Sequence, residues 1–234
     1  MRFYDPDPQP VLGPVTMLPQ KGSVSGGSKR PLNSYAIRHG EGTILFDAPV
    51  SWVTGAVRAI QTRAPVVAHV LSHRDLAESG DAFGDLGDMT GAPFLMHPAD
   101  QAQDAPSKLD VGLEDPRAHR ALDGAEVIEM PGHSPGSILL HLPEAHILMA
   151  GDSAVGPGPD HGPDDPRLQR PIMSDDARAV FCDAMERLFD RLPRLDAILP
   201  LHGRWCLRRD LGDERFDAAV RNIWEGEPMD PCGK

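Results

Sequence analysis

The chain has 234 residues, with 23 Lys and Arg against 35 Asp and Glu and a formal charge of −12. That length can bury one large core, and the acidic balance argues against attraction to phosphate backbones or anionic lipid, so nucleic acid and membrane surfaces are not expected as partners. Cys182, Cys206 and Cys232 are too far apart for a CxxC zinc pair and read as reduced, non-catalytic thiols. With no basic-apolar leader and no apolar run near the ~20 residues that cross a bilayer, a cytoplasmic protein is expected.

Residues 1–30 are rich in Pro, Gly and Ser and predict an irregular amino-terminal arm with one short strand around Val11–Met17, ahead of a single domain over 31–234. NSYAIRHGEGTILFDAPV alternates on either side of Gly40-Glu41-Gly42, which predicts a tight hairpin. Residues 51–62 have helical apolar spacing with Ser51 as the cap, and VVAHVLS is a buried strand. A helix interrupted by glycines and the strand PFLM follow, with His97 placed to cap a helix near Pro98. AEVIEM, SILLHL and AHILMA predict three more strands, the last two joined at Pro143-Glu144-Ala145. Residues 154–171, dense in Pro and Gly, predict a long loop that is either a lid or a surface excursion, with Asp160, His161, Asp164 and Asp165 on it. Residues 174–192 predict a helix capped by Ser174, DAILP a strand, and 213–225 a last helix, while the terminal PMDPCGK reads as a frayed tail. Strands and helices in this order fit two packed sheets with helices outside, a four-layer α/β arrangement.

Polar groups follow directly on strand ends at Ser72-His73-Arg74-Asp75, Pro131-Gly132-His133, Gly151-Asp152 and Leu201-His202-Gly203. Imidazoles and a carboxylate from separate loops are the ligand types of a zinc or iron site. Spacing alone does not separate such a site from ordinary surface or core histidines. The segments NSYAIRHGEGTILFDAP, VLSHRD, PGHSPGSILLHL, HILMAGDSAV and ILPLHG, however, resemble in order and spacing the metallo-β-lactamase superfamily, and within it the glyoxalase II-like hydrolase branch. The resemblance spans residues 33 to about 203 and implies a four-layer αβ/βα sandwich.

In that superfamily the first metal motif reads HxHxDH, and here it reads His73-Arg74-Asp75-Leu76-Ala77-Glu78. The resemblance implies that His73, the residue at 75 and His133 hold one metal, that residues 77 and 78 with His202 hold a second, and that Asp152 bridges them. Ala77 has no donor atom, so a two-zinc centre is not expected.

Three functions remain open at this point. The first is a hydrolase with one divalent ion, zinc before iron, on His73, His133 and Asp152. In it Asp75 is a fourth ligand or catalytic group, and His202 a proton donor or positioning group for a small-molecule substrate. The second is an iron sulfur dioxygenase on the same triad, and the third a metal-free binding scaffold; a homodimer is left open in all three. Asp47 is expected behind the site, Arg74 in an ion pair with Asp75 or Glu78, and Trp205 and Cys206 packed under the last helix.

Overall fold

The computed structural model describes residues 1–21, 31–101, 111–113, 116–162, 165–192 and 194–229. Asp164, Cys232 and nearly all of the tail after Pro228 lie outside the described residues. Seven strands form the first sheet in the order β1 (Gln9–Leu12), β2 (Val15–Met17), β3 (Tyr35–His39), β4 (Gly42–Phe46), β5 (Val66–Val70), β6 (Phe94–Met96) and β7 (Val111–Gly112). It is antiparallel from β1 to β4 and parallel from β4 to β7. The second sheet holds β8 (Glu126–Glu129), β9 (Ile138–Leu142), β10 (Ile147–Val155), β11 (Ala197–His202) and β12 (Cys206–Leu207), in reverse spatial order, with β10 and β11 parallel.

The period of two along each strand sorts the side chains. Ile44 and Phe46 of β4 point between the sheets with Val70, Ile138, Leu140, Ile147, Met149 and Leu199. Their neighbours point outward: Leu45 meets helices α1 (Thr54–Gln61) and α3 (Phe83–Thr90) through Val57 and Leu86. On the other side, Leu139, Leu148 and Ile198 meet α6 (Asp175–Arg191) and α8 (Asp213–Glu225) through Phe181, Met185, Phe216 and Ile223. Full burial of each such side chain contributes about 1.5–3 kcal/mol, so both faces of both sheets have to be covered. The short helices α2 (Asp75–Ser79), α4 (Pro98–Gln101), α5 (Pro116–Ala121) and α7 (Arg208–Leu211) fill the connections. The result is the four-layer arrangement expected. Among the described residues, no helix is long and apolar enough to cross a membrane.

Several local features match the sequence pattern. The hairpin turns at Gly40-Glu41, Ser174 accepts from Ala177 N–H at the start of α6, and His97 Nδ1 accepts from Ala99 N–H at the start of α4. Cys206 packs with Phe216 and Ala219 of α8, and burial pushes its thiol up to about 12, which keeps it protonated and inert. Trp205 turns instead toward the core between the sheets. Three expectations are corrected. Residues 9–17 form two strands rather than one, because Gly13 takes φ 52° and turns the chain, and Val11, Val15 and Met17 are buried in the central core. Ser51 caps nothing; its N–H and hydroxyl both donate to Asp81. Strand β10 continues past the expected end at residue 150 to Val155, paired with β11, so the long loop starts only at Gly156.

One buried group on β5 sets a pH dependence. His69 stacks on Phe94 with ring centroids 4.1 Å apart, and its Nε2 lies 2.9 Å from the Thr90 hydroxyl. Burial pulls its pKa down to about 4. The unfolded chain therefore takes up this proton first as pH falls, so the stability is complete above about pH 6.5 and is lost toward pH 4, by about 3 kcal/mol. Urea unfolding across pH 4–7 should show this slope in the wild-type chain, and His69→Phe should make it shallower whatever its effect on absolute stability; an unchanged slope refutes the assignment.

Candidate metal centre

Strands β8 and β10 both run antiparallel to β9, so they point the same way, and β11 is parallel to β10. His133 therefore follows the C-terminal end of β8, Asp152 sits near that end of β10, and His202 closes β11. His73 follows β5 by three residues in the facing sheet. Ligand sites in α/β sheets collect at these C-terminal ends. Two backbone links hold the sheets together here: Ile138 N–H donates to Ser72 O at 2.9 Å, and Leu32 bridges to His202.

The convergence is on one carboxylate. Nε2 of His73 and Nε2 of His133 each lie 3.7 Å from Asp152 Oδ2, and Nε2 of His202 lies 3.9 Å from Oδ1. The two imidazoles of His73 and His133 stand edge to face, with centroids 4.8 Å apart. One ligand atom from each of His73, His133 and Asp152 can be chosen so that all three lie within 4.8 Å of one another. A spacing of 3.7 Å is beyond hydrogen-bond reach. It is close to the separation of two ligands on one zinc ion, about 3.4 Å for bonds of 2.0–2.1 Å at a tetrahedral angle. Asp152 is only 6% exposed, and its Oδ1 finds no hydrogen-bond partner among the described residues. A buried carboxylate with two imidazole nitrogens facing one oxygen, a third facing the other, and that second oxygen without a hydrogen bond is a fit for a cation.

Electrostatics differ between the two triad imidazoles. Burial lowers the pKa of His73 against the opposing charge of Asp152, which favours the neutral ring that a metal requires. Burial pulls His133 down as well, but the hydrogen bond to Asp75 and the charges of Asp152, Asp75 and Asp100 outweigh it, and its pKa is raised. Asp75 Oδ2 lies 3.3 Å from His133 Nε2, and that bond holds its carboxyl below the usual range. Its side chain is 56% exposed, at the edge of the His-His-Asp cluster rather than buried within it.

The structure thus brings His73, His133, Asp152 and His202 together and sets Asp75 at their edge. It does not pair Arg74 with Asp75 or Glu78: no such ion pair forms among the described residues, because Arg74 and Glu78 both turn to solvent and Asp75 faces His133. Asp47 sits behind the site, where its Oδ1 accepts from Ser72 N–H at 2.8 Å and burial pushes its pKa up to about 8. Three residues have supporting roles that the sequence does not assign. Ser72 Oγ lies 2.9 Å from His73 Nδ1, an outer contact that leaves Nε2 free to face Asp152. The Asn33 amide donates to Pro200 O and Gly203 O, on both sides of His202. Asp100, in α4, is buried beside both imidazole loops. Asn33 could have been suspected as a polar residue heading an apolar strand, and Ser72 stands in the polar group after β5 without its spacing revealing a contact to the neighbouring His73; Asp100 carries no signal of its own, since its partners are distant in sequence.

No protein-family model matches the chain, and no curated protein matches it significantly. Solved structures do. A metallo-β-lactamase from Pontibacter korlensis is 19% identical, with TM-score 0.62 over 92% of this chain and 98% of that one. The FIM-1 metallo-β-lactamase of Pseudomonas aeruginosa in its mono-zinc form is also 19% identical, with TM-score 0.62 over 91% and 95% of the two chains. An NDM/FIM-1-like metallo-β-lactamase from Erythrobacter litoralis, again in a mono-zinc form, gives 18% identity and TM-score 0.60 over 95% and 100%. At these identities the likeness is one of fold, and the chain has the metallo-β-lactamase fold.

Gly151 is where the site depends on the absence of a side chain. Its φ is +51°, and a Cβ there would lie 2.5 Å from Ser72 Oγ, the atom that contacts His73. Gly151→Ala should therefore lower stability by about 1–3 kcal/mol in urea unfolding, while Gly162→Ala, with open space around it, should change it by less than about 0.5 kcal/mol. Equal effects of the two substitutions would remove Gly151 from the account.

Proposed function

We propose that the chain is a metal-dependent hydrolase of a small-molecule substrate, working with one divalent ion, zinc in preference to iron, on His73, His133 and Asp152. The observation that carries this reading is Asp152, a buried carboxylate faced by three imidazole nitrogens with one oxygen left unbonded. A divalent ion bound there supplies a Lewis acid and lowers the pKa of water toward neutrality. The mono-zinc forms of two similar structures support a single ion in this fold.

The limit to one ion follows from residues 76–78. Ala77 is 1% exposed and packs with Leu71, Leu76, Met96 and Leu201, with Phe83 and Leu32 against them. Apolar side chains thus occupy the place where a second ion would need an oxygen or nitrogen donor, and Glu78 points to solvent. His202 is left as a group that can hold a proton beside Asp152 or orient a substrate. Nε2 of His133 cannot both donate to Asp75 and bind an ion, so loading the site frees the Asp75 carboxylate to act as a fourth ligand or as a proton acceptor at the edge of the cluster. Cys182 and Cys206 are free thiols, in keeping with a reducing cytoplasmic setting.

Elemental analysis of protein purified without chelator should find about one metal ion per chain, not two. His133→Ala should lose it, since two remaining ligands bind too weakly to survive dialysis. A wild-type chain that holds no metal even after zinc is added back refutes the reading.

A further inference from the structure

His73 and His133 come from opposite sheets, so no strand ladder sets the distance between them. Asp100 does connect them, although it lies on α4, outside the ligand set. Its Oδ2 accepts from the backbone N–H of Arg74, the residue after His73, at 3.0 Å, and from the hydroxyl of Ser134, the residue after His133, at 2.5 Å. Its Oδ1 accepts from Gly136 N–H at 2.8 Å. The fit is close enough that a Cβ on Gly136 would lie 2.7 Å from Asp100 Cγ.

Both ends of this clasp are anchored. On one side, α4 is tied back to β6 and His97: Asp100 N–H donates to His97 O at 3.0 Å and the Gln101 amide to Met96 O at 2.8 Å. On the other, Ser134 N–H donates to Ser137 Oγ, and the two hydroxyls lie 2.8 Å apart, so the turn after His133 is closed on itself. Asp100 is buried, and three donors to one carboxylate compensate its charge with charge-assisted bonds.

We infer that Asp100 is a positioning residue that sets His73 and His133 at metal-binding separation by cross-linking the backbones of the two loops that carry them. The inference rests on the single-metal reading and adds to it a residue that touches neither metal nor substrate. Outer groups that orient ligands change metal affinity by about 10–100-fold when removed.

The test is Asp100→Asn in the full chain. All three contacts are donated to the carboxylate, so the amide NH2 must face at least one donor that it cannot satisfy. Zinc affinity, read by competition with a chromophoric chelator, should fall about tenfold or more, and the visible absorption of the cobalt-loaded variant should shift or weaken. A purely structural role would lower the melting temperature of the metal-free chain but leave the affinity and cobalt spectrum of the folded protein as in wild type. Ser134→Ala removes one of the three donors and should fall between the two; it decides the matter if Asp100→Asn does not fold. Unchanged zinc affinity in the folded variant overturns the role of Asp100 while leaving the single-metal reading in place. Failure of the wild-type chain to bind zinc at all overturns both.

Discussion

The buried carboxylate of Asp152 is the constraint on which the site rests. An ionised carboxylate out of water is costly unless a cation or strong donors compensate it, and here the nearest groups are imidazole nitrogens at 3.7–3.9 Å, too far to donate a proton and suitably placed to share a cation. The strand that carries it has to bend for this. Gly151 takes a left-handed conformation and the pairing of β10 with β11 shifts register around it, which aims Asp152 at the imidazoles while the strand continues to Val155.

Around that carboxylate, several buried polar bonds join the two sheets at one end. Tyr35 OH donates to Pro200 O, the Asn33 amide reaches Pro200 O and Gly203 O, and Gln20 Nε2 donates to Asn33 Oδ1. These bonds hold the end of β11, and with it His202, against the first sheet. Arg204 ties the following loop down as well, through Gly162 O, while Gly156 N–H donates to His202 O. The described start of that proline-rich loop is therefore packed beside the His202 turn, with Gly156, Pro157 and Gly158 buried.

Leu71, Leu76, Ala77, Met96 and Leu201 form an apolar cluster beside the site. Ala77 does not merely lack a donor; it is part of a packed unit between α2 and the strand ends. A donor placed there would bury a polar group among aliphatic side chains, so the apolar character of this position is sustained by its neighbours.

What the sequence determined by itself was the order and type of most elements, because strand alternation at 35–46, β-branched content at 66–70 and helical spacing at 174–192 and 213–225 are local properties that burial on one face imposes. His73, His133, Asp152 and His202 were legible as polar residues at apolar strand ends, but it was the family resemblance that marked them as one candidate site. Tertiary structure alone decided how they meet. That Asp75 faces His133 rather than Arg74, that Ala77 is enclosed in aliphatic packing, and that Asn33 and Asp100 hold the imidazole loops are outcomes of contacts between residues tens of positions apart. Such contacts leave no periodicity behind, since a hydrogen bond from a backbone amide to a distant carboxylate asks nothing of the residue that supplies the amide.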